Sequence, residues 1–198
     1  MWGGIMRIIV VLEENEALSL AKDREFTISE LKDDYNKCFL ENIKEYLNDN
    51  TGYDDNPIVG MAYIDGNRCD LRKHFDYVPN FIGTSAGDYI LEIELPSDEA
   101  VFMKYDDFLE LESEGDVIPE GDELYKEDIL DKLSLRLPDT DYDTYVCFIP
   151  KIRINQCKCF VVVSDDWSSV LGWLFFILND QSTICLLYTS DAADDLIG

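Results

Sequence analysis

Tyr89-Ile90-Leu91-Glu92-Ile93-Glu94-Leu95-Pro96 decides the fold class of this chain. Tyr89, Leu91, Ile93 and Leu95 alternate with Glu92 and Glu94, the two-residue period of a half-buried strand. Such a strand belongs to a sheet wetted on one side, which places both glutamates on the face toward water. Pro96 has no backbone N–H to extend the ladder and closes the strand. Further strands flank this one: a β-branched run at residues 8–12, residues 58–64 with Asp65-Gly66 as the turn that follows, and residues 100–105.

Helices interrupt the strands. Thr27 and Glu30 have the spacing of a capping box. Leu31, Tyr35, Cys38, Phe39, Ile43, Tyr46 and Leu47 then recur every three or four residues, and turn formers at 48–52 end the stripe. Residues 106–112 read as a helical turn or helix. Residues 126–137 read as a helix with Ile129, Leu130, Leu133 and Leu137 on one face, set within a solvated acidic connection. Residues 145–154 and 157–163 suggest a hairpin turned near Asn155-Gln156. Ser164 would cap a last helix through Trp167, Val170, Leu171 and Trp173 to Phe176. Strands and helices mix without regular alternation. The expected fold class is therefore α+β: a single domain with a mixed or mostly antiparallel sheet and about three helices.

The end of the chain reads differently. Cys185-Leu186-Leu187-Tyr188-Thr189-Ser190-Asp191-Ala192-Ala193-Asp194 resembles the in-frame translation of a sequencing-library adapter, which sets residues 185–198 apart from a domain at 6–184. The natural sequence after about Ile184 would then be missing, as in a metagenomic fragment. Met6 offers an alternative start that would set residues 1–5 aside as well.

The chain carries 42 acidic residues against 16 basic ones, a formal charge of −26; without the tail, 39 acidic residues leave −23. With 46% hydrophobic residues, 12% of all residues aromatic, it has enough apolar mass to fold despite that charge. Phosphate contacts need a Lys/Arg surface, so direct nucleic-acid binding is disfavoured, and an anionic membrane face equally so. Five cysteines remain outside the tail, an odd set without a secretory signal, which suits a reducing bacterial cytoplasm. Arg7 interrupts the apolar run at the start, and the nine apolar residues 170–178 fall far short of the roughly 20 that a membrane span needs.

The order of pieces resembles a bacterial family known as domain of unknown function 3841. The resemblance is carried by the first apolar strand, the helix with Tyr35, and Asn56-Pro57-Ile58 leading to Asp65-Gly66 and Asp70-Leu71-Arg72. It continues through Ile90-Leu91-Glu92-Ile93-Glu94-Leu95-Pro96, Val101 and Asp106-Asp107-Phe108, then a strand near Gln156 and the Trp167 helix. It covers most of residues 6–178. Val59 and Met61 depart from it, standing where Trp-rich positions are expected. The resemblance implies no activity, because the family has none assigned.

Arg68, Asp70, Arg72, Lys73 and His74 form the densest positive patch and hold the only histidine. An arginine fork grips phosphate or carboxylate, and a nearby histidine exchanges protons near neutral pH. This island is the leading candidate for binding a small anionic ligand or nucleotide; the plainer reading pairs Arg72 with Asp70 or with the acidic segment to fix a loop. Glu92 and Glu94 are a pair of carboxylates of the sort that holds Mg²⁺ or shares acid–base work, although an outward-facing strand explains them more simply. Asp139-Thr140-Asp141-Tyr142-Asp143 starts like a calcium loop, but Thr144 and Pro150 stand where Gly and Glu are needed. Cys157-Lys158-Cys159, with Cys147 across the expected hairpin, reads as packed thiols and not as a zinc site. The loop at 83–87 offers Gly and hydroxyls without a convincing strand before it, and no P-loop, dinucleotide fingerprint or zincin motif occurs.

No cofactor and no catalytic residue is indicated, so enzyme status stays open. The alternative to ligand binding is an acidic interaction protein, of the nucleic-acid-mimic type, that engages a basic protein partner through one continuous carboxylate face. A third reading is a non-catalytic structural domain of a larger gene product.

Overall fold

The computed structural model describes residues 4–31, 37–63, 87–115, 123–135, 144–162, 173–177 and 183–186. Its elements in chain order are β1 (Ile5–Leu12), α1 (Glu14–Asp23), β2 (Glu25–Phe26), α2 (Lys37–Thr51), β3 (Ile58–Tyr63), β4 (Tyr89–Pro96), β5 (Val101–Lys104), α3 (Tyr105–Gly115), α4 (Glu123–Lys132), β6 (Thr144–Ile149), β7 (Ile152–Arg153), β8 (Cys157–Val162), β9 (Trp173–Ile177) and β10 (Thr183–Leu186). Six strands in the order β8-β4-β1-β3-β6-β5 make the main sheet, which continues beyond β8 into β9 and β10. β2 and β7 form a separate two-stranded ribbon. Every strand pairing among the described residues is antiparallel. The fold is α+β, with four α-helices among the described residues.

The sheet is sandwiched. On one face Ile8, Val10 and Leu12 of β1, Leu91, Ile93 and Leu95 of β4, and Tyr145, Cys147 and Ile149 of β6 pack under Leu20, Phe26 and Ile152. On the other, Val101, Met103, Val146 and Phe148 meet Phe39, Ile43 and Leu47 of α2, Phe108 and Leu111 of α3, and Tyr125 and Ile129 of α4. Phe39 anchors that second layer, with its ring edge-on to Phe108 at 5.6 Å and to Phe148 at 6.1 Å. Edge-to-face pairs of this kind add roughly 1 kcal/mol each beyond the area they bury.

Two close approaches define the sheet. Gly60 of β3 sits between Val10 of β1 and Cys147 of β6. A Cβ there would lie 2.8 Å from Ile8 Cγ2 and 2.9 Å from the Ile9 carbonyl oxygen. At the outer edge, β5 is met by the chain just after α4. The Phe102 N–H donates to the Ser134 carbonyl at 2.7 Å, and the Ser134 N–H donates back at 2.9 Å.

α3 and α4 are joined through a buried contact, the Tyr125 hydroxyl donating to the Leu111 carbonyl at 2.8 Å. Tyr125→Phe should cost about 1–2 kcal/mol, because a buried carbonyl loses its donor while packing is kept. The shift of the urea midpoint at unchanged slope measures it.

Several expectations are corrected. The capping box at Thr27 and Glu30 starts no helix: β2 pairs with β7, Ile28 bridges to Asn56, and the Asn56 side chain donates to the Ile28 and Ser29 carbonyls at 3.0 and 3.1 Å. Tertiary hydrogen bonds outweigh the local signal at residues 27–31, and the described helix spans Lys37–Thr51. A helix the sequence did not announce, α1, opens with Glu13 and Glu16 in the capping-box arrangement instead. Residues 106–131 are more than a solvated connection, because α3 and α4 carry Phe108, Leu111, Tyr125 and Ile129 into the core.

The expected hairpin of 145–154 with 157–163 does not form. β6 lies between β3 and β5, while β8 lies between β4 and β9. The chain turns away after Ile149 through β7 and a 3-10 turn at Ile154–Gln156. Part of the last predicted helix is also strand, since Trp173 to Phe176 belong to β9; the rest of that segment lies outside the described residues. β10 takes in Cys185 and Leu186, two residues that the sequence reading assigned to the tail.

Candidate functional site

Arg68, Asp70, Arg72, Lys73 and His74 lie outside the described residues, as do Asp139 to Asp143 and most of the loop at 83–87. Three charged arrangements are in view: a cluster across β1, β4 and β8, an acidic outer surface on the helices, and a group that fastens the β2–β7 ribbon.

Cross-strand register builds the cluster. β1 and β4 pair so that Arg7 faces Glu94 and Ile9 faces Glu92. A register shift between β4 and β8 at Glu92/Ile93 leaves Lys158 as the extra residue of a bulge, beside Glu94. The Arg7 Nε donates to Glu94 Oε1 at 3.1 Å and lies 3.8 Å from Glu92 Oε1, while Lys158 Nζ lies 3.0 Å from Glu94 Oε2. Burial tends to raise the Glu94 carboxyl, but hydrogen bonds and charge from Lys158 and Arg7 outweigh it and hold its pKa below the ordinary range.

Glu92 corrects the sequence reading most sharply. It is 0% exposed, not turned to water. Glu94 keeps only 23% of its side-chain surface. Two cations stand among the two carboxylates, so the cluster is balanced, and burying a carboxyl group in a sheet calls for partners of this kind. The signal was present in the sequence: Arg7 breaks the apolar run of β1 at the position that pairs with Glu94.

The helical layer is different. Glu41, Glu45 and Asp49 recur every four residues along α2, and Glu123, Glu127 and Asp131 do so along α4; all six are exposed. Four-residue spacing sets each row along one side of its helix, with about 6 Å between successive carboxylates. α3 adds the exposed Asp106 and Glu110. The three helices cover one face of the sheet, so these carboxylates share one side of the molecule. Lys126 bonds Glu45 at 2.8 Å between α4 and α2, and Lys132 bonds Asp107 at 2.7 Å between α4 and α3. Those hydrogen bonds raise both lysines above their ordinary pKa. Lys126 and Lys132 therefore tie helix to helix, with Glu45 of the α2 row held in one of these ties, while Lys44 of α2 pairs with Asp54 beyond the helix at 3.7 Å.

A third group fastens the small ribbon. Arg153 reaches Glu99 at 3.0 Å and the Tyr53 hydroxyl at 3.4 Å, and Lys151 holds Glu25 at 3.3 Å while lying 5.5 Å from the centre of the Tyr53 ring. Burial works against the Arg153 charge, but the bonds to Glu99 and Tyr53 prevail and raise its pKa. This is a structural clamp whose donors and acceptors satisfy one another.

Among the described thiols, Cys147 and Cys157 are packed in the core on separate strands. Cys147 sits opposite Gly60 and Phe102, away from Cys157, and both sulfurs are buried. Burial pushes the Cys157 thiol up to about 12, which leaves it protonated and unreactive at neutral pH. Among the described residues no three of His, Cys, Asp and Glu gather as a metal site, and no helix is long and apolar enough to cross a membrane.

No family model, curated protein or solved structure matches the chain.

Proposed function

We propose that this protein is an acidic binding module whose α2–α4 face engages a basic surface on a protein partner. The observation that carries the reading is the pair of exposed four-residue carboxylate rows on α2 and α4, lying on one side of a chain with formal charge −26. Rigid helices packed on a sheet hold such rows in place, and opposed fields speed and orient encounter with a cationic partner. A partner that ordinarily binds nucleic acid fits this face, with carboxylates standing where phosphates would. The free thiols Cys38, Cys147 and Cys157 suit a reducing cytoplasm. Kinship with the domain of unknown function 3841 belongs to the same proposal and adds no activity to it.

The test compares two triple variants of equal charge against a panel of basic nucleic-acid-binding proteins. Glu41→Gln/Glu127→Gln/Asp131→Asn removes charge from the face, and Glu14→Gln/Asp23→Asn/Asp98→Asn removes it elsewhere. The first should weaken binding at least tenfold and the second far less. Binding of the unaltered protein should fade as salt rises from about 0.1 M to 1 M, where the screening length falls from about 10 to 3 Å. Equal losses in the two variants, or indifference to salt, would refute the proposal.

A second reading has its own support. Among the described residues Arg7, Lys44, Lys126, Lys132, Lys151, Arg153 and Lys158 each lie 2.7–3.7 Å from a carboxylate of the same chain. The main cluster of cations apart from these is Arg68, Arg72, Lys73 and His74, the expected anion-binding island. On this reading Arg72→Ala abolishes phosphate or nucleotide binding in calorimetry and leaves the melting temperature unchanged. Unaltered affinity would remove the island from consideration.

A further inference from the structure

We draw no further inference here: the strongest candidate, the Arg7–Glu92–Glu94–Lys158 cluster across β1, β4 and β8, consists of two carboxylates and two cations that balance one another within the sheet, and nothing in the structure points to a ligand for it.

Discussion

Arg7→Met is expected to lower the stability of the folded chain by about 3 kcal/mol, because it removes a cation from beside two carboxylates that the sheet encloses. Glu92 has no exposed side-chain surface and lies 3.8 Å from the guanidinium. Removing one partner of a buried ion pair typically costs about 3–5 kcal/mol, far more than the pair itself contributes. The lower end applies because the Arg7 side chain is 32% exposed and water shares in its solvation. Glu94 loses one donor but keeps Lys158 at 3.0 Å. Urea unfolding of three proteins tests the argument: Arg7→Met, Glu92→Leu and the double variant. The double variant should be more stable than Arg7→Met alone, since one of the two carboxylates that faced the missing cation is then gone. A cost for Arg7→Met within the ~0.5 kcal/mol of an ordinary surface change would sink the idea.

The same cluster predicts a pH response of defined sign. The folded pKa of Glu94 is depressed below its ordinary value of 4.5. Its contribution to stability is therefore fully present above about 4.5 and is lost as pH falls through the lower folded value. In Arg7→Met one of the groups that depress it is missing, so the stability curves of the variant and the unaltered protein should converge in acid.

Gly60→Ala should be nearly as damaging, by a different route. The added methyl would stand 2.8 Å from Ile8 Cγ2, 2.9 Å from the Ile9 carbonyl oxygen and 3.0 Å from Cys147 Sγ. Of these the isoleucine methyl can move a little, but the carbonyl belongs to the neighbouring strand and is held by its ladder. Overpacking of this kind costs about 1–3 kcal/mol, and a contact with backbone puts Gly60→Ala at the upper end. That corresponds to a fall of roughly 5–10 °C in Tm for a domain of this size. Adding Cys147→Ala relieves only one of the three contacts and should restore little. Full recovery in that double variant would show that the sulfur, and not the main chain of β1, sets the limit.

The strands were the legible part of this chain. Ile8 to Leu12 and Ile58 to Tyr63 are β-branched or apolar runs, and Tyr89 to Pro96 alternates; such patterns survive because a sheet needs them whatever its neighbours are. Partner choice was not legible. Nothing local to Tyr145 or Cys157 says that β6 pairs with β3 and β5 while β8 pairs with β4 and β9, and a short gap between two apolar runs imitates a hairpin. The false helix start at Thr27 has the same origin, since the Asn56 amide that claims the Ile28 and Ser29 carbonyls is 28 and 27 residues away. Glu92 shows the limit of period-two reasoning. Alternation tells which residues share a face, but not whether that face is wet, and here the second face is covered too. The carboxylate rows on α2 and α4 were readable in principle from four-residue spacing, yet α4 begins three residues before the predicted helix, which concealed Glu123 as its first member.

The two hydrogen bonds between Phe102 and Ser134 bear on how copies of this protein behave when crowded. A bare edge strand is a template on which another chain can polymerise. At the middle of β5 both outward-facing groups of Phe102 are already spoken for by Ser134, and Lys104 stands at the strand's end with a charge that a second strand would have to bury. Concentrated solutions should consequently resist stacking through this side, so that any fibril-like growth would have to start from elsewhere in the molecule.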